Sequence, residues 1–474
     1  MLKKFLIALL LISVNLSAQS NAVKLQKEIN EVIKDSFFVH TQIAISVYDL
    51  KSNKQLYHHN DKLLLNPASN MKLLTTAAAL TFLGNNYIFQ TSLYHTGVIE
   101  NDTLYGDIYV AGGFDPDFTI SDLDSMIQSV KSLGIHVIAG NLYADLSIKD
   151  SLYWGKGWMW DDNPDPGAPY LSSLNINDNS IEIFVKAAKI DSPAIIILTP
   201  DTKYAEVENH SVTVSSSGKT DLKITRDWMN GNNKIIVTGK VRSGVITDSS
   251  DQKEKLNLTN PYFYFLALFR EHLAKENIFV KGENKIARLP ENSVYLSSYN
   301  RRLDSVIVHL NKQSDNLSAE MLIYALALND SGVPAISKNG IQSLKNFIDS
   351  LKLDPDEYSL ADGSGVSRYN LLSTELLVNV LRYMYKSRYY FLYYTSLPIA
   401  GVDGTLKKRM VNSPAQQNVH AKTGTLQGVS SLSGYIRTEN NNLLAFSMMI
   451  ENYVSKSETA RNFLDKICEI LVEY

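Results

Sequence analysis

In residues 42–59 apolar and polar positions alternate in two short runs, IAISVYDL and KQLYHH, with Lys51 to Asn53 between them. A period of two predicts a pair of strands joined by a turn. From about Asn70 the run MKLLTTAAALTFL predicts a helix that ends near Gly84-Asn85. Between about Ile88 and Leu289 the character changes to short alternating runs such as LYGDIYVAGG, IEIFVKAA, AIIIL and KIIVTGKV. Gly, Asn, Asp and Pro punctuate them. That pattern predicts β-rich inserted material with some helix, for example over 121–133. From about Ser293 helices return, over 318–328, 340–351 and 373–387. Two strands follow in HAKTGTL and SSLSGYIRT, and a helix closes the chain. The early strands with their helix and the late helices with their strands read as two halves of one α/β unit. The middle reads as an insertion.

Composition changes this picture only at the edges. The chain has 474 residues, enough for two or three domains, with an ordinary globular balance of 45% hydrophobic and 20% charged residues. Its formal charge of −3 arises from 46 basic and 49 acidic side chains, which argues against a nucleic-acid partner. Lys3 and Lys4, the apolar run from Phe5 to Val14, and Ala18-Gln19-Ser20 form a secretory signal peptide pattern over 1–20, cut after Ala18 or Ser20. The expectation is an exported protein of the periplasm or cell envelope. No later segment has the ~20 continuous apolar residues of a spanning helix. The single cysteine, Cys468, has no intrachain disulfide partner. With Phe463, Leu464, Ile467 and Leu471 it shares an apolar helix face, so burial is expected rather than chemistry.

Three short motifs carry candidate chemistry. Ser69-Asn70-Met71-Lys72 falls at the predicted helix start, just after Pro67. Residues three apart share a helix face, so Lys72 lies beside the Ser69 hydroxyl. Serine is a weak nucleophile until a base takes its proton, and a neutral amine can do so. The plainer alternative makes Ser69 an N-cap. Lys72 opposes that reading, because a cation in the first turn meets the helix dipole unfavourably. Ser314-Asp315-Asn316 precedes a helical run and by itself reads as a cap or turn; functionally, a hydroxyl and an amide there could relay a proton and hold a backbone group. Lys422-Thr423-Gly424-Thr425 lies in a predicted strand, where Gly424 allows close backbone approach and Lys422 could hold a carboxylate. The nine histidines form no metal-binding spacing, and His58-His59 fit a hairpin surface. No metal or other cofactor is expected.

Each motif is weak alone; S-x-x-K, S-D-N and K-T-G in this order are the set of penicillin-binding proteins and serine β-lactamases. The stretch from Lys72 to Ser314 is far too long for a compact β-lactamase. The sequence resembles the low-molecular-mass class C penicillin-binding proteins, the D-alanyl-D-alanine carboxypeptidase/endopeptidase family, over almost the whole mature chain. The likeness includes AGGFDP (111–116), GWMWDD (157–162), Gly167-Ala168-Pro169, Ser173-Leu174-Asn175, DGSGVSR (362–368) and AGVDGTLKKRM (400–410). The segment NPDP between Asp162 and Gly167 departs from the pattern.

The resemblance implies an α/β (α+β) penicillin-binding/serine β-lactamase-like transpeptidase domain with a large β-rich two-domain insertion. The signal peptide would occupy 1–20, the catalytic domain 21–90 and 291–474, and the inserted domains 91–170 with 260–290, and 171–259. It implies that Ser69 attacks the carbonyl of the penultimate D-alanine, with Lys72 as base and Ser314 passing the proton to the leaving amine. Asn316 would hold the substrate backbone, Lys422, Thr423 and Thr425 the terminal carboxylate, and the N–H groups of Ser69 and Thr425 the oxyanion. Asp162, Arg368 and Gln427 match positions that contact the third residue of the stem peptide. The implied partners are peptidoglycan stem peptides and β-lactam antibiotics. A β-lactamase and a non-catalytic wall-binding protein are the rival readings.

Overall fold

The computed structural model describes residues 22–244 and 252–474; the expected signal peptide lies outside the described residues. The chain divides into two compact units. The first comprises the described residues up to Asn85, Ile307–Asp315 and Ile341–Tyr474; the second comprises Asn86–Val306 and Asn316–Gly340.

The first unit is built on a five-stranded antiparallel sheet in the order Val419–Leu426, Val429–Arg437, Leu443–Glu451, Gln42–Asp49, Lys54–His59. The two early strands and the two motif-bearing late strands stand where alternation predicts them. The strand Leu443–Glu451 was not anticipated. Its sequence LLAFSMMIE is buried at every position but the ends, so it shows no polar alternation to read. The helix Met71–Phe82 is buried from Met71 to Leu80, which suits its run of Leu and Ala. The helical residues 22–33 and the helix Ser457–Val472 share one hydrophobic cluster with the sheet, Leu25, Ile29, Leu464, Ile467 and Leu471 among them. Cys468 lies in this cluster, fully buried, and burial pushes its thiol up well above the usual range.

Among the described residues the second unit holds four small sheets. The largest orders Asn284–Ile286, Leu142–Asp145, Ile108–Ala111, Ile88–His95 and Val294–Arg302. Ile88 faces Arg302 in it, so a long excursion of chain leaves and returns on neighbouring strands. Val294–Arg302 lies where helices were expected to resume, and Pro261–Lys275 is a fifteen-residue helix within the β-rich stretch. That helix packs with Ile120–Lys131 in one hydrophobic cluster that also takes in Ile183, Val237 and Leu256. The cluster thus draws on residues of both expected inserted domains. The helix Asn316–Ser331 also groups with this unit, although the expected boundary put everything after 291 with the first. Its contacts give the reason: Ser318 donates to Asp117 at 3.2 Å, Tyr324 donates to Asp150 at 3.0 Å, and the Tyr324 and Phe114 rings stack 5.4 Å apart.

Candidate active site

Ser69 sits in a 3₁₀ turn, Ala68–Asn70, that feeds the helix starting at Met71. Ala68 just before it has φ +45°, a conformation that is strained for a residue with a Cβ and costs about 1–3 kcal/mol unless its surroundings impose it. Here they do. Asn66 Oδ1 accepts from the Ala68 N–H at 2.9 Å, the Asn66 N–H donates to Glu451 at 3.0 Å, and Ser431 donates to the Pro67 carbonyl at 2.8 Å. Gly365, at φ +86°, lies so close that a Cβ there would stand 1.8 Å from the Ala68 carbonyl oxygen. The turn is therefore clamped between the sheet and the 362–368 loop.

The Ser69 hydroxyl caps no backbone N–H, which disposes of the simple N-cap. It accepts instead from Lys72 Nζ at 2.9 Å. Lys72 is fully buried and also donates to the Ser364 carbonyl at 2.6 Å. Asp362 shapes the loop that presents this carbonyl. Its carboxylate accepts from the Gly365 N–H at 2.8 Å, the Ser367 N–H at 2.6 Å and Asn370 Nδ2 at 2.6 Å.

Ser314, at φ +63°, occupies the break between the helices Leu303–Gln313 and Asn316–Ser331. Its hydroxyl accepts from Lys422 Nζ at 2.7 Å. Lys422 is fully buried, its remaining contact being the Thr423 carbonyl at 3.0 Å. Burial first, and then the nearby Lys72 charge, hold Lys422 well below the usual lysine range. Two buried amines thus face two partly exposed hydroxyls, and the Ser69–Lys72 and Ser314–Lys422 pairs come from three separate stretches of sequence.

Lys422 belongs to the edge strand of the sheet. The Ala400 N–H donates to the Val419 carbonyl, and the Ala421 N–H donates to the Pro398 carbonyl, both on the outer side. Backbone groups of alternate residues point the same way, so the N–H groups of Thr423 and Thr425 face outward too. Gly424 brings this strand onto the Ser69 turn: a Cβ there would lie 2.8 Å from the Pro67 carbonyl oxygen and 3.0 Å from the Ser69 nitrogen. Among the described residues the Ser69 N–H donates to no backbone carbonyl. Thr423 is half-buried and donates to Thr405 at 2.7 Å, while Thr425 and Gln427 are exposed. Exposed Arg368 donates to the Gln427 carbonyl at 3.1 Å, so those two stand together.

Asp162 and Asn316 belong to the second unit. Asp162 ends the turn Trp160–Asp162 and accepts from the Met159 N–H at 2.7 Å, which caps that turn. Asn316 opens its helix and donates to the Gly167 carbonyl at 2.5 Å. Sequence reasoning did not single out Asn66, Asp362, Thr405 or Ser431 as separate parts of the site. Asp362 and Thr405 lay inside quoted stretches, whereas Asn66 and Ser431 carry no motif signal.

A family model described as the D-Ala-D-Ala carboxypeptidase 3 (S13) family matches residues 25–474. The chain belongs to that family. It is a serine-type D-alanyl-D-alanine carboxypeptidase with the mixed α/β fold of the penicillin-binding proteins. The D-alanyl-D-alanine carboxypeptidase of Actinomadura sp. (strain R39) is 30% identical over 95% of this chain and 85% of its own. The carboxypeptidase DacB of Haemophilus influenzae is 28% identical over 87% of this chain and 86% of its own. The crystal structure of penicillin binding protein 4 (dacB) from that organism matches with TM-score 0.81 and 26% identity, covering 94% of this chain and 99% of that one. No described helix of this S13 carboxypeptidase is long and apolar enough to cross a membrane.

Proposed function

We propose that this carboxypeptidase works through an acyl-enzyme on Ser69, in the periplasm or cell envelope, after export directed by residues 1–20. The observation that carries the reading is the pair of amine–hydroxyl contacts, Lys72 with Ser69 at 2.9 Å and Lys422 with Ser314 at 2.7 Å. Ser69 Oγ attacks the carbonyl of the penultimate D-alanine while its proton passes to the Lys72 amine. The N–H groups of Ser69 and Thr425 stabilise the oxyanion, each donor being worth about 10²–10³ in rate. As the C–N bond breaks, Ser314 delivers a proton to the departing D-alanine amine. Water then hydrolyses the ester and restores Ser69.

Lys422 takes a different part from the one its motif first suggests. Its ammonium is buried against Ser314 and Thr423, so Thr423 and Thr425 are the groups that meet the terminal carboxylate. Lys422 contributes from behind, through its field and through Ser314. Asn316, Asp162, Arg368 and Gln427 are assigned to the substrate backbone and the third-residue side chain on the resemblance of their motifs. Residues 91–290 would then be the two-part insertion of the family, with the stem peptide as substrate and β-lactams as acylating mimics. Digestion of cross-linked muropeptides would show whether the enzyme also acts as an endopeptidase.

Mass spectrometry after exposure to benzylpenicillin tests the nucleophile. The adduct is expected on the peptide containing Ser69, and Ser69→Ala is expected to abolish it. An adduct that persists in Ser69→Ala would remove Ser69 from its role, and a wild-type protein that takes no label would favour a non-catalytic wall-binding protein.

A further inference from the structure

The second unit contains a cleft of about 550 Å³ whose walls include Lys149, Tyr153, Tyr170, Ser173 and Asn260. Small-molecule sites span roughly 300–1,000 Å³. The cleft lies wholly within that unit and uses none of the residues assigned above to peptide chemistry.

Its ionic groups are engaged with one another and with the fold. Lys149 Nζ donates to the Asp150 carboxylate and to the Asp150 carbonyl, both at 3.2 Å, and to the Leu152 carbonyl. It also lies 4.5 Å from the centre of the Tyr324 ring. Asp150 accepts from the Tyr324 hydroxyl at 3.0 Å and from the Ser337 N–H at 3.1 Å. With both charges matched internally, the cleft has nothing to select an ionic ligand.

What remains is aromatic and uncharged. Tyr153 and Tyr170 lie nearly parallel, 8° apart with centroids at 6.1 Å, and Tyr153 is 64% exposed. Ser173 is 1% exposed, and its hydroxyl is closed off behind the wall, out of reach of an occupant. Asn260 is held at φ +51°, and its Oδ1 accepts from the Tyr262 hydroxyl at 2.9 Å, which leaves its amide N–H₂ to donate. The Tyr204 hydroxyl bonds the Thr259 and Asn260 carbonyls at 3.0 and 3.1 Å and fixes this corner.

We propose that the cleft is a saccharide subsite that takes one or two rings of an N-acetylated amino-sugar chain. A pyranose has an apolar C–H face to lie on Tyr153 and, in an N-acetylated sugar, an acetamido carbonyl to accept from the exposed Asn260 amide. Matched ions, an exposed aromatic and an open amide donor together favour a neutral ligand with one apolar face. The choice of a wall glycan among saccharides rests on the reading of the catalytic unit as an enzyme of stem peptides, which hang from such chains.

Titration of the full-length protein with a soluble N-acetylglucosamine oligomer, read by calorimetry and saturation-transfer NMR, tests this. Saturable binding is expected, weakened about tenfold in Tyr153→Ala, whose mostly exposed ring the fold does not need. Asn260→Asp is expected to weaken binding as well, because it removes the amide donor and keeps the oxygen that accepts from Tyr262. Both variants should hydrolyse a small soluble D-Ala-D-Ala peptide at the wild-type rate. Absence of saturable binding to the wild type, or equal binding to wild type and both variants, would overturn the subsite. A wild-type protein that binds the oligomer but cannot hydrolyse the peptide would instead overturn the catalytic reading and leave the subsite standing.

Discussion

Gly424→Ala tests whether close contact between the Lys422 strand and the Ser69 turn sets the catalytic geometry. The added methyl carbon would lie 2.2 Å from Ser431 Oγ, 2.8 Å from the Pro67 carbonyl oxygen and 3.0 Å from the Ser69 nitrogen. The serine hydroxyl can rotate away, but it then loses its 2.8 Å bond to Pro67, a cost of about 1 kcal/mol. The two backbone atoms have no such escape, so the strand and the turn must part by some tenths of an ångström. Overpacking of this kind costs roughly 1–3 kcal/mol, so the variant should lose about 2–4 kcal/mol in all. The catalytic loss is expected to be larger than the stability loss implies. Parting the strand from the turn spoils at least one oxyanion donor, worth about 10²–10³ in rate. The assay is the second-order rate of acylation by benzylpenicillin, measured beside Tm on the same preparation. A folded Gly424→Ala enzyme that acylates within about threefold of wild type would show that the contact does not set the geometry.

Acylation should depend on pH in a definite direction. It needs an unprotonated amine in the site, and burial together with the nearby Lys72 charge holds Lys422 well below the usual lysine range. The rate should rise with pH and level off well below the value of about 10.4 for a free lysine; a profile still climbing at that pH would refute a depressed site amine. Arg368→Ala and Gln427→Ala should raise KM for a peptide with a diamino acid at its third position, leaving acylation by benzylpenicillin nearly unchanged. Because Arg368 bonds the Gln427 carbonyl, the losses should fall short of additive in the double variant; equal losses on both compounds would mean general support of the site.

What the sequence revealed followed from which signals survive in one dimension. Alternation located the strands Gln42–Asp49, Lys54–His59, Val419–Leu426 and Val429–Arg437, because each is bounded by turn formers or keeps one polar side. Leu443–Glu451 escaped because burial on both faces erases the period. Val294–Arg302 escaped because it is half-buried with few apolar residues, so neither period stands out. At the site, Ser69 and Lys72 were readable as neighbours because three residues of helix bring them together. The pairing of Lys422 with Ser314 joins residues far apart in the chain, and only the order of motifs hinted at it. The clamp on Ala68 was not legible at all, since Asn66, Ser431 and Glu451 act through single hydrogen bonds that no spacing rule records.

That clamp also bears on how the enzyme comes into being. The Asn66 N–H reaches Glu451 across 385 residues of chain, and the strand Gln42–Asp49 finds one of its two partners only in Leu443–Glu451. Contacts this distant form late, after loop-closure entropy has been overcome and after nearer pairings are in place. A growing chain therefore holds Ser69 and Lys72 already next to each other on a nascent helix, yet lacks the strand that forces Ala68 into its strained turn. With Ser69 as the proposed nucleophile, the site would be among the last features to mature, and the polypeptide would stay chemically quiet until the strand Leu443–Glu451 has docked.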